Sequence, residues 1–382
     1  MEPLALYIHW PFCLAKCPYC DFNSHVRDEI PQARFRAALR AELAWEARRL
    51  GPRPLASIFF GGGTPSLMAP ETVLALIDDA TLLFEATPDI EITLEANPTS
   101  VEIGRLQAFR DAGINRLSLG IQSLEPEALR LLGREHSASQ AIAALEIGRK
   151  IFPRLSFDLI YARPGQTLPA WRRELRQALD LAADHFSLYQ LTIEPGTAYE
   201  ARHRSGEIVL PDPEIAAELY NATAEETVRA GLLPYEISNY AQPGAESRHN
   251  LAYWRYADYA GIGPGAHGRV TLADELFATR RHRAPEIWAD RVEAHGHGTT
   301  REDAVPSLDR AREMLLMGLR LAEGVGIARF QARTGRTLDE AIDADTLARA
   351  IDAGYATRSD DRLIATAEGR LRLDALLGAL VL

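Results

Sequence analysis

Leu4-Ala-Leu-Tyr-Ile-His-Trp10-Pro-Phe-Cys13-Leu-Ala-Lys-Cys17-Pro-Tyr-Cys20 opens with an apolar, aromatic-rich run that leads straight into three crowded cysteines. Residues 4–10 carry the composition of a buried strand, and Pro11 ends it. The three cysteines are the only ones in the chain, so every thiol is spent in one loop. An odd, crowded trio does not build a disulfide framework. Three thiolates at spacings of four and three can instead converge on a soft metal centre. An iron–sulfur cluster held by three protein thiolates leaves one iron open to an outside ligand. A zinc site with His9 or His25 as fourth ligand is the alternative, although structural zinc usually draws on two separated pairs.

Outward from this loop, strand and helix patterns alternate. Strands are predicted at 4–10, 57–61, 90–96, 116–121, 155–161 and 186–193. Helical periodicity fills 31–49, 69–85, 100–112, 138–151 and 168–181. Two helix starts carry capping-box residues, Thr99 with Glu102 and Ser137 with Gln140. Repeated strand–helix order implies a parallel sheet with crossover helices, an α/β fold. Six units fall short of the eight of a full barrel, which points to a partial (β/α)6 barrel.

The rhythm breaks near Glu194, where Pro195, Pro211, Pro213, Pro234 and Pro243 interrupt it. A helix is expected over 212–230, a short strand over 235–238, and a tight loop through Gly261-Ile-Gly-Pro-Gly-Ala-His-Gly268. From Val305 the pattern is mostly helical, with a hairpin around 357–365 and a closing helix, an order that resembles a winged-helix module. The expected division is 1–200 for the barrel and cysteine loop, 201–304 for a barrel extension, and 305–382 for a winged-helix-like C-terminal domain.

Composition narrows the function classes. The 382 residues hold 42 Lys plus Arg against 53 Asp plus Glu, a formal net charge of −11, so no global attraction for nucleic acid exists. Residues 305–382 contain 11 Arg and 12 acidic residues, so the C-terminal module lacks the basic face of a DNA-binding winged helix and suits packing. No apolar run approaches the ~18 residues of a membrane span. With no basic, then apolar, leader pattern, a cytoplasmic protein is expected.

Several polar residues stand where barrel sites gather, at the C-terminal ends of strands. Phe59-Phe-Gly-Gly-Gly-Thr-Pro65 allows close backbone approach to a ligand. It lacks the lysine of a phosphate loop. Glu95 lies in Leu94-Glu-Ala-Asn-Pro98, and carboxylates suit ribose hydroxyls. Gln122 follows the fourth strand and Arg134 lies in Leu132-Gly-Arg-Glu-His136. Asp158 sits inside an apolar strand, where an acid is costly unless paired or ligated. An Asp158–Arg134 ion pair is one way to meet that cost.

Tyr7-Ile-His-Trp-Pro-Phe-Cys13-x3-Cys17-x-Tyr19-Cys20 resembles the radical S-adenosylmethionine (SAM) superfamily and, more narrowly, the anaerobic coproporphyrinogen III oxidase family. The resemblance covers nearly the whole chain. It implies a 4Fe–4S cluster on Cys13, Cys17 and Cys20 whose open iron chelates the SAM amino and carboxylate groups. It also implies cofactor-binding roles for Tyr7 and Tyr19, for Gly62, Gly63 and Thr64 at the methionyl end of SAM, and for Glu95. In the oxidases the residues matching Gln122, Arg134 and Asp158 approach a second SAM.

Two departures point away from the oxidase itself. The oxidase pattern has a further cysteine two residues after the last ligand, where this chain has Phe22. His249-Asn250-x-x-Tyr253-Trp254 is similar to the signature of the heme-chaperone, or HemW-type, branch. His and Tyr are heme-ligand types and Trp offers an apolar face. On a helix, His249 and Tyr253 share one side. The resemblance therefore implies a heme chaperone that carries a SAM-ligated cluster and passes heme to acceptor hemoproteins, membrane-bound ones included. The alternative is an oxygen-independent coproporphyrinogen III oxidase acting in porphyrin biosynthesis by radical SAM decarboxylation. His267 is a further candidate near the pocket; His295 and His297 carry no assigned role.

Overall fold

Six of the apolar segments pair edge to edge as parallel strands in a computed structural model that describes residues 2–382, the side chains of Ser100 and Val101 excepted. They are β1 (Leu4–Trp10), β2 (Pro54–Gly62), β3 (Glu85–Ala96), β4 (Arg116–Gln122), β5 (Arg154–Tyr161) and β6 (His185–Gln190), adjacent in that order. Parallel neighbours need long crossovers, supplied here by helices such as Gln32–Leu50, Pro70–Leu83, Ala138–Ile151 and Leu168–Leu181.

The strands show why the sheet curls around a polar interior. Leu4, Leu6, Ile8 and Trp10 of β1, Leu117, Leu119 and Ile121 of β4, and Leu155, Phe157 and Leu159 of β5 belong to one apolar core, shared with the helices. The alternate residues face the other way. Register aligns them across the sheet: Tyr7 with Phe59, Phe59 with Thr93, Glu95 with Ser118, Ser118 with Ser156, and Asp158 with Ser187. The strands thus have an apolar outer face toward the helices and a mixed polar inner face that forms the site wall.

The middle of the chain extends the same sheet at both edges. Beyond β6, β8 (Asn239–Ala241) and then β7 (Leu233–Pro234) add antiparallel. On the β1 edge, β9 (Tyr259–Ile262) adds a seventh parallel strand, with Tyr7 opposite Gly261. The antiparallel strands β10 (His267–Leu272), β11 (Glu275–Arg281) and β12 (Thr299–Ala304) complete a 12-stranded sheet.

Three sequence expectations are corrected here. Residues 235–238 are the bend between β7 and β8. Of the glycine-rich run, only 263–266 is turn, because Gly261 and Ile262 pair with β1 and His267 and Gly268 pair with β11. The helix expected over 100–112 is two pieces, Ser100–Ile103 and Leu106–Asp111. Glu102 turns its carboxylate to the Asn97 N–H at 2.8 Å and to the Ser66 hydroxyl. The Ser137–Gln140 capping box forms in full.

From Val305 a second apolar core gathers the helices Ser307–Gly318, Ile327–Thr334, Ala344–Asp352 and Leu373–Leu380. A small antiparallel sheet, β13 (Val325–Gly326), β15 (Arg362–Ala365) and β14 (Ala356–Arg358) in spatial order, gives the winged-helix-like topology. Arg255 pairs with Glu323 at 2.7 Å across the junction. No helix among the described residues is long and apolar enough to cross a membrane.

Candidate cluster and cofactor site

The cysteine loop leaves the C-terminal end of β1 and is clamped at its feet. Phe12–Cys13 pairs with His25–Val26 as a two-stranded parallel ribbon. Within the loop the Cys20 N–H donates to the Cys17 carbonyl at 3.1 Å. Pro18 lies against Gly133, where an added Cβ would sit 2.6 Å from the proline ring. The Pro18 carbonyl accepts from the Tyr199 N–H at 2.9 Å.

All three thiols line one cavity of about 390 Å³. Thr64 Oγ1 donates to Cys13 Sγ at 3.4 Å, and Arg134 Nη1 donates to Cys17 Sγ at 3.2 Å. Burial pushes the Cys13 and Cys20 thiols up, so both are protonated at neutral pH until a metal displaces the protons. Among the described residues no three His, Cys, Asp or Glu side chains converge on a point that one ion could fill. Three thiols lining one cavity, with no fourth cysteine in the chain, fit a polynuclear cluster with one thiolate per iron better than a single zinc, which takes four protein ligands in a structural site. His9 is no free ligand: Nε2 meets the Asn23 carbonyl at 2.9 Å and Nδ1 meets Tyr7 Oη at 3.0 Å.

The glycine run closes β2 beneath this loop. Gly62 adopts φ +115°, and a Cβ there would lie 2.6 Å from His9 Cε1. At Gly63 a Cβ would come 2.7 Å from the Phe12 carbonyl. Side chains at either position would push the cysteine loop off the sheet.

Tyr19, Gly62, Gly63, Thr64, Glu95, Gln122, Arg134 and Asp158 all reach the same cavity. Asp158 accepts from the Ile121 N–H and from Gln122 Nε2, both at 2.9 Å. The Asp158–Arg134 ion pair does not form. Arg134 is instead held by Asn97 Oδ1 at 2.6 Å and the Gly120 carbonyl at 2.7 Å. Asn97, in the Glu-Ala-Asn-Pro segment, is a positioning residue; it also donates to Thr64 Oγ1 at 3.3 Å. Asn23 was missed. Its Nδ2 donates to the carbonyls of Pro264 and Arg283, both at 2.9 Å, tying the cysteine loop to a turn more than 200 residues away.

Burial, helped by the charge of Asp158, lifts the Glu95 carboxyl to about 7. Burial also lifts Asp158 to about 6, against the opposing Arg134 charge. A sulfonium and an ammonium, as SAM carries, would relieve both. Because the folded value for Glu95 exceeds the ordinary 4.5, the folded state holds the extra proton between those values. Stability contributed at this site therefore falls as pH rises from about 4.5 to 7. Glu95→Gln is expected to stabilise the cluster-free protein by on the order of 2 kcal/mol at pH 8 and not at pH 4. Urea unfolding at the two pH values checks this; equal effects at both would remove Glu95 as the titrating group.

The helix Arg248–Trp254 plugs the opposite end of the barrel. His249 is buried, stacked on Phe59 with ring centroids 4.9 Å apart. Its Nδ1 is 2.9 Å from Ser57 Oγ and its Nε2 is 3.1 Å from Tyr253 Oη. Both ring nitrogens are thus engaged. Tyr253 does share its side of the helix, and it enters a second cavity beside Tyr7 and Tyr259. Trp254 points the other way, into a cleft against the C-terminal core, under Arg320 at 4.6 Å. The i, i+4 pair His249 and Tyr253 shares a side of the helix as its spacing predicts, while Trp254, at i+5, turns away.

A three-cysteine loop on the C-terminal edge of a partial (β/α)6 barrel, beside a glycine-walled polar cavity, defines a radical SAM protein. Residues 7–178 match the Radical SAM superfamily and residues 305–372 match the HemN C-terminal domain. The chain is 38% identical over 380 residues to the heme chaperone HemW of Escherichia coli, covering 99% of this chain and 98% of that one. It is 43% identical over 326 residues to the mitochondrial radical S-adenosyl methionine domain-containing protein 1 of Bos taurus, covering 84% and 74%. The solved structure of coproporphyrinogen III oxidase (HemN) from Escherichia coli has the same fold, with a TM-score of 0.82 at 24% identity over 98% of this chain and 89% of that one. The chain belongs to the radical SAM superfamily and, within it, to the HemW family. The superfamily implies a 4Fe–4S cluster and SAM.

Proposed function

We propose that this chain is a heme chaperone: it binds heme beside a SAM-ligated 4Fe–4S cluster and passes it to acceptor hemoproteins. The observation that carries this reading is full-length likeness to proteins named heme chaperone HemW, at 36–38% identity in three bacteria. Phe22 supports it. This side chain stands where the oxidase pattern has a thiol, is 57% exposed, and lines both cavities. Likeness to the oxidase at 24% identity speaks for the fold alone.

In this reading Cys13, Cys17 and Cys20 hold the cluster, and Gly62, Gly63, Thr64 and Glu95 hold SAM. Tyr7 and Tyr19 flank that site, while Gln122, Arg134 and Asp158 line its far side. When bound, cluster and SAM supply a redox centre with a chelated iron. Tyr253 contacts cargo, with His249 behind it, and Trp254 seats the C-terminal module. The functional division follows 1–200, 201–304 and 305–382. Action in the cytoplasm, with only peripheral contact to membrane-bound acceptors, fits the acidic charge and the lack of an apolar spanning helix among the described residues.

Anaerobic heme titration of cluster-reconstituted protein, followed by gel filtration, tests the reading. Retention near one heme per chain, and its loss to an added apo-hemoprotein, is expected. Failure to retain heme with a full cluster, together with turnover of coproporphyrinogen, would overturn it.

A further inference from the structure

The second cavity, about 430 Å³, is walled by Tyr7, Tyr253 and Tyr259 and shares Phe22, Gly62 and Glu95 with the cluster cavity. That volume falls among small-molecule sites. Its rim is built by the β10–β11 hairpin, where His267 and Arg280 are directly opposed cross-strand partners. Arg283 follows just past the end of β11, its carbonyl anchored by Asn23.

The cations of this hairpin divide into two sets. Arg269 pairs with Glu313 at 2.8 Å, and buried Arg281 pairs with Glu46 at 2.7 Å. Arg280 and Arg283 are exposed, line the cavity, and make no ion pair among the described residues. His267 is exposed at the same rim and its ring has no hydrogen-bond partner among the described residues. Aromatic walls, two free guanidinium groups and one free imidazole suit a flat aromatic ligand that bears two carboxylates and a metal. Glu95, the one carboxylate in the lining, lies on the shared wall with Gly62 and Phe22.

We propose that this cavity seats the cargo, with Arg280 and Arg283 holding the two heme propionates and His267 supplying the axial nitrogen to the iron. The assignment rests on the chaperone reading and deepens it. Partial desolvation where the ring meets the cavity wall, with the nearby Arg280, Arg269 and Arg283 charges, holds His267 below its ordinary range, which leaves the imidazole neutral and able to ligate.

Two probes test it, heme and heme dimethyl ester, whose propionates carry no charge. Each is titrated anaerobically into cluster-reconstituted wild type, an Arg280→Ala/Arg283→Ala variant and His267→Ala. Unchanged cluster absorbance and melting would establish that these exposed substitutions fold. Wild type is expected to bind the ester at least about tenfold more weakly than heme, the scale of a lost charge-assisted hydrogen bond. The double variant should lose at least about tenfold for heme and cease to distinguish the probes. His267→Ala should shift the visible bands and the electron paramagnetic resonance of bound heme. Heme binding by wild type with no discrimination, and no change in either variant, would overturn this assignment alone. Binding of neither probe by wild type would overturn it together with the chaperone reading.

Discussion

Cys17→Ala is expected to abolish iron and sulfide incorporation while leaving circular dichroism, gel-filtration behaviour and most of the thermal stability unchanged. A cluster already held by only three thiolates has no spare ligand, so removing one takes away the site. The fold depends little on that sulfur. Cys17 is half-buried, and its donor Arg134 keeps Asn97 and the Gly120 carbonyl when the sulfur is removed. The loop is held by the Phe12–Cys13 ribbon and by Pro18 against Gly133, and the main apolar core lies on the opposite face of the strands. A substitution with those contacts costs about 1 kcal/mol. SAM affinity should fall with the cluster, because the open iron is its anchor in this superfamily. Iron and sulfide analysis beside a melting curve decides the matter. Cooperative loss of the fold would make the metal a structural element instead.

Much of this architecture was legible because parallel strands covered by helices are apolar runs of recognisable length. β1 has the bounds read from sequence, and the helices Ala138–Ile151 and Leu168–Leu181 do as well. Asp158 stood out as an acid in an apolar strand, but the layer it belongs to did not. Phe59, Thr93, Ser118 and Ser156 share its inner face, and that face is set by register between strands far apart in sequence. The seventh parallel strand escaped for the same reason. Tyr259–Ile262 is a short strand whose signal is diluted by Gly261 and by the glycines that follow it, and it is ordered by pairing with β1, some 250 residues earlier. Buried Glu42 accepts from the Gly263 N–H at 2.8 Å and the Gly298 N–H at 2.7 Å, fixing this turn from a helix on the outer layer. Cofactor-side residues were readable because they sit at strand ends. At the plug helix, spacing told which side chains share a side and not what that side meets.

The largest effect at the plug helix is expected from His249→Ala, as a loss of stability that carries heme retention with it. Removing a fully buried ring stacked on Phe59 opens a cavity, and it strands the hydroxyls of Ser57 and Tyr253. Together these cost about 2–4 kcal/mol at pH 7. Burial, with the Arg116 charge in support, depresses His249 to about 3. The unfolded chain therefore takes up a proton near 6.5 that the folded chain refuses. Wild-type stability from this site is complete above about 6.5 and drains away as pH falls toward 3, so the gap between wild type and His249→Ala should narrow on acidification. His249→Phe, which keeps a ring on Phe59 and loses both hydrogen bonds, should fall between the two. Heme bound by either variant is expected to retain its wild-type visible and paramagnetic spectrum, because both ring nitrogens are engaged by Ser57 and Tyr253 and the ring supports Tyr253 from behind. Variants that fold with wild-type stability yet show an altered axial-ligand spectrum would sink this account and make His249 a heme ligand in its own right.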